Sequence, residues 1–270
     1  MAWLPRPAPN RERSKTIPKV FITGASSGLG SALARHYAAR GAVLGLAARR
    51  GEALEALARD LPATCLVYPL DVTDSPALAE AGADFIARTG APDIVIANAG
   101  ISLGTLTEEA ADLQAFARVM QANVLGMVHT FHPFVAAMKQ AGQGRLVGIS
   151  SVAGIRGMPG AGAYCASKAA ATTYLESLRV ELRGSGVGVT TIVPGYIATP
   201  MTAVNRYRMP FILSAGEAAR RIVRQIDGGA SYAVVPWQMA VVAKLLRMLP
   251  DPLFDRLFAR AGRKRRDLPL

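Results

Sequence analysis

The sequence predicts an α/β protein, with one doubly wound, Rossmann-like parallel sheet in a single domain and a helical appendix at its C-terminal end. Three observations predict it. Short apolar runs alternate with longer helical stretches. The runs are apolar at successive positions, as a strand buried on both faces requires. A glycine-rich turn joins the first run to the first helix.

The strand runs are residues 20–23, 43–47, 66–70, 94–98, 146–150 and 187–193, with a last strand at 232–235. The stretches between them are long enough for crossover helices, clearest at 29–40, 77–88, 113–140, 164–183 and 215–226. Residues 1–16 read as a flexible extension, 17–236 as the sheet domain and 237–270 as a helical appendix with a basic tail.

Of the 270 residues, 51% are hydrophobic, enough for a sizeable core. The first nineteen are Pro- and Arg-rich without an apolar run, so no secretory signal is expected. No charge-free run reaches the roughly 18 residues of a membrane span. Cys65 and Cys165 show no CxxC spacing, so neither a disulfide framework nor a metal site is expected, and a cytoplasmic protein is. The net charge of +12 is concentrated at the two ends, in Arg6, Arg11, Arg13, Lys15 and Lys19, then in Arg256, Arg260, Arg263, Lys264, Arg265 and Arg266. Such runs are solvated or touch an anionic surface. No nucleic-acid motif accompanies them, so no nucleic-acid partner is expected.

The first strand runs into Gly24, Ala25, Ser26, Ser27, Gly28, Leu29 and Gly30, and a helix opens there. The glycines let the backbone turn tightly, and the helix N-terminus presents free N–H groups to a pyrophosphate. Tyr164 and Lys168 are four apart at a helix start, hence on one face. An ammonium about 4 Å from a phenol contributes roughly 4 kcal/mol at an effective dielectric of ~20. That would bring Tyr164 towards operating pH. Ser151 stands thirteen positions upstream at a strand end, beside Ser150.

The TGxxxGxG turn, YxxxK pair and upstream serine resemble the short-chain dehydrogenase/reductase family over residues 19–202. That resemblance implies hydride transfer between a nicotinamide and a small-molecule carbonyl or secondary alcohol. It gives Ser151 the substrate oxygen, Tyr164 the proton, Lys168 the phenol and ribose, and Asn123 a water path to Lys168. It places Asp71 at the adenine, and Asn98, Ala99 and Gly100 along the cofactor, with Ala97 replacing the family's first Asn. It also puts Pro194, Gly195, Ile197 and Thr199 at the carboxamide. Ala48 stands where an NAD-type acid would, and Arg49 follows, which favours NADP(H). A homodimer or homotetramer is implied as well.

Substrate walls are expected from Ile155, Arg156, Met158 and Met201, then Tyr207, Met209, Phe211 and Ile212, which suits an apolar ketone or aldehyde; the apolar residues equally suit packing against the core. His129 and His132 lack a third ligand in sequence and are read as structural. A nucleotide-binding regulatory or scaffold protein is the alternative function; it would need a broken catalytic set, and this set is complete. The apolar helix after Pro236 with its cationic end suits peripheral contact with an anionic bilayer, as at the inner membrane surface. It equally suits a pocket cover or a subunit contact.

Overall fold

The computed structural model describes residues 17–205, 207–259 and 261–266. The extension expected at 1–16, and Arg206 and Arg260, lie outside the described residues.

The chain runs β1 (Lys19–Thr23), α1 (Gly28–Ala38), β2 (Val43–Ala48), α2 (Gly51–Asp60), β3 (Cys65–Pro69), α3 (Ser75–Thr89) and β4 (Ile94–Ala97). It continues with α4 (Asp112–Met120), a π-helical turn (Gln121–Leu125), α5 (Gly126–Ala141), β5 (Gly144–Ile149), a 3₁₀ turn (Val152–Gly154), α6 (Gly162–Glu181) and β6 (Val187–Pro194). Then come β7 (Ile197–Ala198), α7 (Pro200–Ala203), β8 (Leu213–Ser214), α8 (Ala215–Asp227), β9 (Tyr232–Val235), α9 (Trp237–Met248) and α10 (Asp251–Phe258).

Seven strands form one parallel sheet in the order β3-β2-β1-β4-β5-β6-β9. The order reverses between β1 and β4, and the crevice beyond the strand ends at such a point is where this architecture binds ligands. The unbroken apolar runs follow from burial on both faces. Val20 and Ile22 join the core beneath α1 and α8, while Phe21 between them packs on Phe85 and Phe134 under α3 and α5. Each sheet face therefore has its own apolar core, and a strand one residue out of register would exchange the two.

Two features depart from the sequence expectation. The helix foreseen at 113–140 is interrupted by the π turn, which carries the buried Asn123. Turns of this kind re-aim side chains at functional sites. The helix α2 was not singled out, although Leu54 and Leu57 mark its buried face.

The appendix is helical and its inner side is occupied. Arg156 donates to the carbonyls of Leu246 (2.6 Å) and Leu249 (2.5 Å), pairs with Asp251 (2.6 Å) and lies over the Phe254 ring. Trp237, Val241, Leu245 and Met248 form an exposed stripe on the outer face of α9. Among the described residues no helix is long and apolar enough to cross a membrane.

Candidate active site

The strand ends on either side of the switch point bring the glycine turn and residues 98–100 together. Gly24 has φ of +67°, and a Cβ there would come within 2.8 Å of the Ala99 Cα. At Gly30 a Cβ would run into the Gly24 carbonyl and the Asn98 amide. Both positions must therefore be glycine for the turn to fold this tightly. Asn98 Nδ2 donates to the carbonyls of Thr23 (3.0 Å) and Gly24 (3.3 Å), and Thr23 Oγ1 accepts from the Asn98 N–H (3.2 Å). Ser27 is the residue before α1, in extended conformation, and Leu29 is buried beneath the turn. This backbone cradle, closed to side chains and opening on a helix N-terminus, fits a dinucleotide pyrophosphate.

The loop after β6 meets the turn from the other side. A Cβ on Gly28 would lie 3.2 Å from Thr199. Thr199 caps α7 through a reciprocal arrangement with Thr202, whose hydroxyl also donates to the Ile197 carbonyl (2.5 Å). Gly195 donates to the Val235 carbonyl (2.8 Å) and leaves room for Met239 of the appendix.

At the end of β2, Arg49 lies 3.9 Å from the Asp71 carboxylate, both exposed. Asp71 also accepts from the N–H and hydroxyl of Thr73, each at 2.9 Å. The next residue, Arg50, reaches the Ser26 hydroxyl at 3.1 Å. Sequence reasoning gave a role to Arg49 alone; the pairing of Arg50 with the turn was not foreseen.

The proton-handling residues meet between β5 and α6. Ser150 is buried, and its hydroxyl bonds with the Lys168 carbonyl (2.9 Å) and Thr172 (2.8 Å). Ser151 is partly exposed, accepts from the Ala153 N–H (3.1 Å) and bonds with the Tyr164 phenol. The two neighbours are thus separated by environment, one structural and one facing the cleft. The Asn123 amide holds both backbone groups of Ile101 (2.8 and 3.0 Å) and donates to Ser167 Oγ (2.9 Å). A Cβ on Gly100 would meet Asn123 at 2.8 Å and Lys168 Nζ at 3.6 Å, so Gly100 lets these two groups approach the cofactor cleft.

The electrostatics differ from the sequence expectation. Burial raises the Tyr164 phenol above its ordinary value, opposed by the Ser151 hydroxyl. The Lys168 ammonium does not offset this, because it donates to the Ile149 carbonyl (2.9 Å) and sits 5.9 Å from the Tyr164 ring centroid. Burial, and then the charge of Lys264, lower Lys168 to about 8.

The expected substrate walls are divided. The Met158 carbonyl accepts from the Ala161 N–H (3.1 Å) and lies by the Cys165 thiol. Met201, Phe211 and Ile212 are exposed, and Tyr207 packs near Tyr196. Arg156 is not a wall: its guanidinium is spent on the appendix, and Ile155 offers its carbonyl to Arg247 (3.3 Å). Residues 261–266 pack beside Tyr164 instead. Gly104 donates to the Arg265 carbonyl (2.8 Å), and Lys264 donates to Ser102 with its ammonium 4.1 Å from the Tyr164 ring centroid. Arg266 binds Asp112 (2.7 Å) and Glu109 (3.2 Å). The basic tail is therefore folded onto the site, at least through Arg266. His129 meets the Val72 carbonyl at 3.1 Å.

A glycine cradle at the switch point and a serine, tyrosine and lysine beside it define a dinucleotide-dependent oxidoreductase site. The family model described as short chain dehydrogenase matches residues 18–209. An uncharacterized oxidoreductase of Myxococcus xanthus is 40% identical over 238 residues, 87% of this chain and 94% of the relative. Dehydrogenase/reductase SDR family member 7B of Bos taurus is 35% identical over 269 residues, 92% of this chain and 82% of the relative. An alcohol dehydrogenase of Thermococcus sibiricus, solved with 5-hydroxy-NADP, superposes with a TM-score of 0.72 at 26% identity, covering 82% of this chain and 96% of its own. A short-chain dehydrogenase of Sphingobium yanoikuyae, solved with NADPH, shares the fold with a TM-score of 0.73 at 24% identity, covering 87% and 97%. This chain belongs to the short-chain dehydrogenase/reductase family and is an NAD(P)-dependent oxidoreductase.

Proposed function

We propose that the protein is an NADP(H)-dependent reductase of ketones or aldehydes with an apolar body. The observation that carries the reading is the meeting of Ser151, Tyr164 and Lys168 beside the glycine cradle, with Arg49 and Arg50 at the end of β2. A phenol held protonated is ready to give its proton to an oxygen that gains charge, as a carbonyl oxygen does on reduction. Ser151, bonded to that phenol, orients the carbonyl oxygen. Lys168 places a cation behind it, and Asn123 acts as a positioning residue through Ile101 and Ser167.

Residues Gly24, Ser26, Ser27, Gly28, Leu29 and Gly30 would hold the pyrophosphate, and Asp71 the adenine. Asn98, Ala99, Gly100, Tyr164 and Lys168 would line the ribose. Pro194, Gly195, Ile197 and Thr199 would fix the carboxamide. The nicotinamide bound there supplies the hydride. Arg49 and Arg50 at the end of β2, with Ala48 in place of an acid, favour a 2′-phosphate, since guanidinium groups match phosphate geometry through several donors.

Initial rates with NADPH and NADH over a panel of ketones and aldehydes test this. NADPH is expected to be preferred, and the double variant Arg49→Ala, Arg50→Ala to raise its KM about 10- to 100-fold. An NADH preference untouched by the substitutions would overturn the NADP(H) reading. Two partners attach to this proposal, a second copy of the chain and an anionic bilayer. The outer stripe of α9 is the surface open to either, and sizing in solution and vesicle sedimentation of Leu245→Ser distinguish them.

A further inference from the structure

We infer that Lys264 is a specificity-determining residue, selecting a carbonyl compound that carries a carboxylate a few bonds from the reacting carbon. The inference rests on the reading of the cleft as a carbonyl site and adds a charge requirement to it.

The position of Lys264 is set by the fold around it. Gly104 donates to the Arg265 carbonyl (2.8 Å), and any side chain at Gly104 would strike the Lys264 carbonyl. Gly160 leaves space for the stem of Arg263, and a Cβ there would lie 3.1 Å from it. Gly262 lies on Tyr207, with a Cβ 2.8 Å from that residue's own. Beyond it, Arg266 is tied to Asp112 and Glu109. The backbone is thus seated on both sides of residue 264 without help from the Lys264 ammonium.

That ammonium points at the chemistry. It donates to Ser102 and lies over the ring of Tyr164. Arg266, two residues on, meets two carboxylates; no Asp or Glu among the described residues pairs with Lys264. The charged or polar groups around it are the Ser102 hydroxyl, the Tyr164 ring, the Cys165 thiol and the second cation Lys168. A cation drawn partly out of water beside another cation lacks the anion that would compensate its lost hydration. Its burial shows in a pKa lowered to about 8. A substrate carboxylate would complete the arrangement through charge-assisted hydrogen bonds, with the carbonyl delivered to Ser151 and Tyr164.

The test compares phenylglyoxylate with acetophenone, two carbonyl compounds that differ by a carboxylate. Calorimetric titration of the full chain saturated with NADP+ gives a Kd for each. The keto acid is expected to bind about 10- to 100-fold more tightly, as a hydrogen-bonded charge pair implies. Lys264→Met should abolish that ratio and Lys264→Arg should keep it. Equal or unmeasurable affinity for the two ligands in the wild-type protein overturns the inference. So does a ratio that survives in Lys264→Met, or an equal weakening of both ligands, which would make the tail a strap alone. Failure to oxidise NADPH with any carbonyl, while the binding ratio holds, would instead defeat the proposed reductase activity.

Discussion

The cofactor side and the substrate side of the cleft are built differently. The cofactor side is made of backbone: Gly24 and Gly30 bring main chain against main chain, and Asn98 ties the turn with bonds to carbonyls. The proposed substrate side is made of long side chains arriving from distant parts of the chain. Lys264 and Arg266 reach back to Ser102 and Asp112, while Arg156 ties down the appendix at residues 246–251. A backbone site is rigid and indifferent to the surface around it. A side-chain site can change its selectivity by one substitution without disturbing the fold.

The sharpest way to break this division is Tyr164→Phe. Turnover should fall about 10²- to 10⁴-fold, the range for a lost general acid. NADPH affinity, read by fluorescence, should stay within about threefold of wild type on the same view of separable halves. A matching collapse of cofactor affinity would show the two sides to be one unit.

Next in size is the effect of pH on stability. Lys168 falls from 10.5 to about 8 on folding, with burial as the main cause. A base with a lowered folded pKa binds fewer protons in the folded state than in the unfolded state between those values. Its penalty is therefore full below about 8 and disappears as pH rises towards 10.5. The penalty is on the order of 3 kcal/mol by the cost per pKa unit. Lys168→Met should thus be inactive yet no less stable at pH 7, and the cofactor-free protein should gain more from rising pH than the variant does. Thermal melts of both across pH 7–10 check this; a variant that melts well below wild type at pH 7 would contradict it.

The smallest effects separate the halves by substitution. Gly30→Ala should cost about 1–3 kcal/mol by overpacking and weaken NADPH binding. Arg156→Ala should cost about 1–3 kcal/mol, because the partly buried carbonyls of Leu246 and Leu249 lose a charged donor. The exposed Asp251 adds little to that. Its KM for NADPH should hold, because the glycine turn is untouched. Urea melts and KM values for each substrate distinguish the two outcomes.

The same contrast governs how much could be read from the sequence. The glycine turn was legible because only glycine fits positions 24 and 30, so geometry dictates identity. Ser151, Tyr164 and Lys168 were legible because their spacing places them at one strand end and one helix face. The seven strands of the main sheet were legible from unbroken apolar runs, with ends displaced by a residue or two; the short β7 and β8 were not. The π turn at Gln121–Leu125 was not, since its residues suit an α-helix equally well. Nor were the destinations of Arg156 and Lys264. A flexible side chain has no period, and the tertiary packing that chooses its partner lies 90 and 162 residues away. A run of arginines and a lysine reads as a solvated tail unless the surface it meets is known.

The seating of Lys264 on Gly104 has a consequence for how the protein comes into being. Domains form from the N-terminal end as the ribosome extends the chain. The strands β1 to β4 and the glycine turn are all in hand once residue 100 has emerged, and the loop that meets the turn follows by Thr199. The carbonyl side waits for residues 261–266. During that interval the nascent chain holds the glycine turn but not the residues that close against Ser102 and Gly104.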